Sequence, residues 1–146
     1  MQHRNYLYLF LMLLFGACRE KPAQNLNEDN TQRVKHYFEL FNSHQWEQLS
    51  NLYTDTASMK DPSLGLECIR QTKLDIKTKY QELQKAIPDV RDSIIAIYPS
   101  SQNTCTVEFI SSGTLPDGSQ MKLPICTIFT FKDSLIVADY TYYDNQ

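Results

Sequence analysis

From residue 31 onward the apolar positions first recur with a helical period. Val34, Tyr37, Phe38 and Phe41 fall at i, i+3, i+4 and i+7, behind Asn30 or Thr31 as the cap. One face of that helix is predicted to be buried. Asn42, Ser43 and His44 interrupt the run, and Trp46, Leu49, Leu52 and Tyr53 resume it as a second, short helix. Residues 56–61 alternate instead. Ala57, Met59 and Asp61 lie on one side and Ser58 and Lys60 on the other, as in a short strand ending at Asp61-Pro62. A long third helix over 65–86 is predicted from the stripe Leu66, Ile69, Ile76, Tyr80, Leu83 and Ile87, with Lys73, Lys77, Lys79 and Lys85 largely off it and Pro88 stopping it. The rest is β in character, over 90–98, 105–115, 120–131 and 135–143, with turn-formers such as Pro116-Asp117-Gly118 and Lys132-Asp133-Ser134 between the segments. These later strands read as a meander. Three helices followed mainly by antiparallel strands, without regular βα alternation, indicate an α+β domain with helices against one face of a curved sheet.

The amino terminus carries a different pattern. Arg4 precedes ten unbroken apolar or aromatic residues, 6–15, followed by the small residues Gly16 and Ala17. Such a run is shorter than the roughly 20 residues of a permanent span and has the form of a signal peptide over 1–17. Leu14-Phe15-Gly16-Ala17-Cys18 resembles a bacterial lipobox, which implies lipidation of Cys18 and a membrane-anchored lipoprotein of the cell envelope, periplasmic or at the outer membrane. A soluble secreted protein cleaved nearby is the alternative. Residues 19–30 hold only Ala23 and Leu26 as apolar side chains, so 18–30 reads as a lipidated Cys with a flexible tether and 31–146 as the folded domain.

Composition narrows the function classes. Nine Tyr, seven Phe and one Trp in 146 residues supply bulk for a core, and a formal charge of −3 without a basic stripe speaks against nucleic-acid binding. Cys68, Cys105 and Cys126 form no C-x-x-C pair, and His36 and His44 lie on no ligand-like spacing, so no metal is expected and the cysteines read as buried small hydrophobes. Behind the leader the glycines are Gly65, Gly113 and Gly118, which make no G-x-G-x-x-G, no P-loop and no G-x-S-x-G elbow. No cofactor is expected.

Asp61 is the informative residue, because it is in phase with Ala57 and Met59 on the apolar side of its strand. A carboxylate there costs several kcal/mol in desolvation or takes up a proton, unless it sits at an opening or in a cavity. Turn chemistry alone also explains an Asp before Pro. The segment from Tyr37-Phe-Glu-Leu-Phe-Asn42 through Trp46 to Tyr53-Thr-Asp55-Thr-Ala57-Ser-Met-Lys-Asp61-Pro62-Ser-Leu-Gly65, and the close Tyr142-Tyr143-Asp144, resemble the SnoaL-like branch of the nuclear transport factor 2 fold superfamily. That resemblance implies a cone: a strongly bent, mainly antiparallel sheet wrapped around the helices, with a hydrophobic pocket at its open end.

Within the superfamily, similarity to ketosteroid isomerase implies Asp61 as general base and Tyr37 as hydrogen-bond donor to a developing enolate. The place of that enzyme's second donor, a protonated Asp, is held by Thr127, a weaker acid of shorter reach. By spacing alone Tyr37 is also a plain core residue. Trp46, Tyr53, Thr127 and Phe129 are the candidate ligand contacts, Trp46 and Tyr53 weighing more toward core. Asp139, between Ala138 and Tyr140, reads as facing solvent or a partner, and Glu108 is equally ambiguous. The resulting expectation is a pocket for a small apolar or amphipathic molecule. Its alternatives are a proton-transfer enzyme of isomerase, cyclase or dehydratase type, and an interaction module forming a homodimer through the exposed sheet face.

Overall fold

A computed structural model describes residues 26–100 and 103–144. Cys18 and the expected signal peptide over 1–17 lie outside them. Two helices, α1 (Leu26–Asn42) and α2 (Trp46–Ser50), precede strand β1 (Tyr53–Lys60); a single 3-10 turn (Pro62–Leu64) and strand β2 (Ile69–Thr72) lead into helix α3 (Lys73–Ala86). Strands β3 (Arg91–Ser100), β4 (Thr104–Thr114), β5 (Gln120–Lys132) and β6 (Leu135–Tyr142) complete the chain. All six strands join one curved, unclosed sheet in the order β2-β1-β6-β5-β4-β3, and every pairing is antiparallel except β1 with β6. The α+β class and the β3–β6 meander agree with the sequence pattern.

The helices differ from expectation in instructive ways. Helix α1 starts at Leu26, before Asn30 and Thr31, so part of the expected tether is helical. Asn30 is buried rather than exposed, its side chain accepting from Arg33 at 2.7 Å while Arg33 also donates to Ser134 at 2.9 Å. The long helix predicted over 65–86 begins only at Lys73. Thr72 and Asp75 form a reciprocal capping box that starts it there, and the residues before it pair with β1 as a strand. Leu66, counted in the apolar stripe, is 88% exposed.

Helices α1 and α3 lie against the concave side of the sheet. Between them and the strands pack Leu49, Tyr53, Ala57, Ile76, Val90, Cys105 and Val107, all fully buried. Gly113 marks a close approach: a Cβ there would stand 2.3 Å from the Ile87 side chain, where the chain leaves α3 for β3. Of the three cysteines, Cys105 fits the buried-hydrophobe expectation, Cys126 is half-buried, and Cys68 is exposed, against it. All three are free thiols.

Candidate functional site

Between α1, α3 and the concave sheet lies a cavity of about 750 Å³. Its greasy wall is built by Phe38 and Phe41 from α1, Leu83 from α3, and Phe109, Ile125 and Phe129 from the sheet. These are inward positions of strands that alternate between faces, which is why β4 and β5 contribute at every second residue. A chamber of this size and lining fits a small organic molecule.

One wall is charged. Asp61 ends β1 in extended backbone and caps the following turn, its Oδ1 accepting from the Ser63 amide (2.8 Å), the Ser63 hydroxyl (2.7 Å) and the Tyr143 hydroxyl (2.8 Å). Its other oxygen is paired with the Lys79 ammonium. Both readings of Asp61 therefore hold at once, turn cap and cavity carboxylate, at 6% exposure. Burial alone would raise its pKa; the Lys79 charge and the Ser63 bonds outweigh burial and hold the carboxyl below its ordinary range. An ionised, fully engaged carboxylate is a weak proton acceptor. Lys79, expected off the apolar stripe, in fact shares it: it lies three residues after Ile76 and four before Leu83.

Tyrosines and threonines form the inner polar layer. Tyr37 and Tyr80 share a hydroxyl hydrogen bond of 2.6 Å, and both line the cavity. Behind them Tyr53 donates to Asp139 at 2.6 Å, Thr141 donates to the other Asp139 oxygen at 3.1 Å, and Thr141 pairs with Thr127 at 2.8 Å. Burial, reinforced by the Asp139 charge, pushes the Tyr37 phenol well above its usual pKa, so it stays a protonated donor at neutral pH. Asp139 is 2% exposed, against the expectation that it faces solvent or a partner. A β-bulge explains this: Thr130 pairs Ala138 while Phe131 pairs Ile136, so Val137 is skipped and Asp139 shares the inner face with Ile136. Glu108 is exposed on the outer face.

The cavity thus brings together Asp61, Tyr37, Thr127 and Phe129. It leaves out two candidate contacts: Tyr53 is fully buried behind the wall, and Trp46 packs between His44 and Tyr80 with its indole donating to Gln84 at 2.6 Å. Two polar residues that sequence reasoning passed over also line it. Asp92 on β3 and Gln71 on β2 are buried, and Asp92 Oδ1 and Gln71 Oε1 have no hydrogen-bond partner. Burial, weakly opposed by the Ser111 hydroxyl across the ladder, raises the Asp92 carboxyl to about 7. Asp92 was legible by the criterion that singled out Asp61, since it is in phase with Val90 on a segment read as strand; Gln71 was not, because its segment reads as part of a helix. No cluster of three or more His, Cys, Asp or Glu placed to hold a metal occurs among the described residues.

No curated protein matches the chain. Among solved structures, a protein of ketosteroid isomerase-like fold from Catenulispora acidiphila, in complex with trimethylamine, is 16% identical over 78% of this chain and 86% of its own, with a TM-score of 0.69. SalBIII, an epoxide hydrolase/cyclase-like enzyme with a role in pyran ring formation in polyether salinomycin, is 15% identical, covering 81% of this chain and 92% of its own at a TM-score of 0.71. An NTF2-like protein from Anabaena variabilis is 14% identical, covering 88% and 96% at a TM-score of 0.71. Identities this low establish a shared fold, the cone. The family model for the SnoaL-like domain matches residues 34–138, from the middle of α1 into β6, and the chain belongs to the SnoaL-like domain family.

Proposed function

We propose that this SnoaL-like domain binds a small apolar or amphipathic molecule in its cavity, as the folded part of a cell-envelope lipoprotein anchored through Cys18. The observation that carries the reading is the cavity itself: about 750 Å³ with an aromatic and aliphatic wall and many polar groups beside it, among them Asp61 and Tyr37. The trimethylamine complex of a fold neighbour is consistent with small-molecule binding in such a cone. N-phenyl-1-naphthylamine, an apolar fluorophore, tests it. One molecule is expected to bind per chain with a Kd of about 10–200 μM, from roughly 0.3–0.4 kcal/mol per heavy atom. Filling the cavity by Ile125→Trp should abolish that signal. Equal binding by the filled variant would overturn the reading. Loss of palmitate incorporation in Cys18→Ser tests the anchor.

A second reading, proton transfer at carbon, is favoured by one observation: Asp61 and Tyr37 line the same cavity, with the Tyr37 hydroxyl already oriented by Tyr80. In it Asp61, its basicity lowered by the Lys79 pairing, takes the proton, and Tyr37 donates a hydrogen bond to the oxygen where charge develops. SalBIII, a cyclase-like enzyme on this fold, lends it support. Asp61→Asn should then abolish turnover of a carbonyl substrate while ligand affinity stays; unchanged turnover would exclude Asp61 as the base.

A further inference from the structure

Two buried polar side chains line the cavity with one oxygen each, Asp92 Oδ1 and Gln71 Oε1, lacking a hydrogen-bond partner. Asp92, 8% exposed, sits near the start of edge strand β3, and Gln71, 9% exposed, on the opposite edge strand β2; the curl of the sheet brings both to one chamber. Buried polar atoms in folded proteins almost always have a partner, so an orphan acceptor facing a cavity marks where a ligand donor belongs. The electrostatics agree on the sign of that donor. Asp61, Asp75, Glu82 and Asp92 line the cavity against Lys79 as its cationic lining residue among those described, and Lys79 is already paired with Asp61. Around Asp92 the facing groups are neutral: the Ser111 hydroxyl from β4, and the Tyr37 phenol from α1, which feels the Asp92 charge. The rings of Phe38, Phe41, Phe109 and Phe129 add faces that attract a cation.

We infer that the cavity is built for an amphipathic amine, with the protonated nitrogen donating a hydrogen bond to Asp92 Oδ1 and the apolar body against the phenylalanine wall. This rests on the cavity-binding reading above and names the ligand class for that site. No bond is made or broken; the amine proton stays on nitrogen, shared with the carboxylate. Gln71 Oε1 offers a second acceptor for a further N–H or O–H on the same molecule.

The test is calorimetry on the wild-type domain with three probes of one body, decylamine, decanol and decanoate, at pH 8. Decylamine is expected to bind about tenfold tighter than either of the others, the gain of a charge-assisted hydrogen bond in a dry site. Asp92→Asn should bring decylamine to within about threefold of decanol. Because the Asp92 carboxyl titrates at about 7, lowering the pH to 5.5 should weaken decylamine about tenfold in the wild type while leaving decanol unchanged, a readout that needs no variant. Equal affinity for the three probes, or an amine preference that survives Asp92→Asn, would overturn the inference and leave the cavity-binding reading standing. Failure of all three to bind would instead contradict that reading, and this inference with it.

Discussion

Replacing Lys79 by Met strips the ammonium from Asp61 while keeping a flexible apolar stem on α3. The Lys79 side chain is 16% exposed and the Asp61 side chain 8%, so the pair is buried enough for its loss to matter. Breaking a fully buried pair costs about 3–5 kcal/mol because a charge is left stranded. Here Ser63 and Tyr143 still donate to Asp61 Oδ1, and the cavity admits some water, so about 2–3 kcal/mol is expected at pH 7. For a domain of this size that corresponds to a fall of about 8–15 °C in Tm.

The pH dependence discriminates further. In the wild type the Asp61 pKa lies below its unfolded value, so its contribution is present above about pH 4 and lost as the pH falls through the folded value. Without Lys79 only the Ser63 and Tyr143 bonds oppose burial, the pKa rises, and Asp61 contributes less stability as the pH climbs. The gap between the two proteins should therefore be widest at pH 7 and narrow toward pH 4.5. Urea unfolding at both pH values, read as a shift in midpoint at constant m, measures it. Adding Asp61→Asn to Lys79→Met should restore at least half the loss, since Asn keeps the turn cap without the charge. A loss under about 0.5 kcal/mol, or a double variant no better than the single, would refute this account of the pair.

Asp92→Asn should stabilise the ligand-free domain at pH 8 by about 1–3 kcal/mol and flatten its stability between pH 4 and 7, because a carboxyl raised to about 7 binds more protons folded than unfolded and costs stability as the pH rises; urea midpoints across that range check it. Tyr53→Phe leaves Asp139 with Thr141 as its remaining side-chain donor, and about 1.5–3 kcal/mol of stability should go with the hydroxyl, read by thermal melting. Gly113→Val forces its side chain into Ile87 and should cost more than about 2 kcal/mol, whereas Gly118→Ala, at a φ of 84° in an open turn, should cost about 1 kcal/mol.

The architecture was legible because its signals are local and periodic. The β4–β5 alternation and the α1 stripe each name their own inward face, and turn residues separate the last four strands close to where the structure does. Misreadings arose where one residue changes the phase. The bulge at Val137 turns Asp139 inward, and Ile69 of the short strand Ile69–Thr72, with Leu66 before it, stands at a spacing that a continuous helix would share. Asp61 was found because a carboxylate on an apolar face is conspicuous, and Asp92 satisfies the same rule. The Asp61–Lys79 pair is a contact between residues 18 positions apart and no local pattern announces it. Trp46 and Tyr53 show the converse limit: aromatic bulk marks the interior, but whether a ring faces a cavity or the packed core behind it depends on tertiary packing.

Two buried aspartates of this cavity stand in opposite conditions, Asp61 paired with Lys79 and Asp92 with no cation beside it and its Oδ1 without a partner. Carbon-13 NMR titration of the aspartate carboxyls in the wild-type domain reads both directly. Asp61 should titrate below the ordinary value near 3.9 and Asp92 at about 7, with the Asp92 midpoint moving down when decylamine is added. An Asp92 midpoint near 3.9, or one that decylamine leaves in place, would contradict the account of this cavity as a chamber with a carboxyl reserved for its ligand.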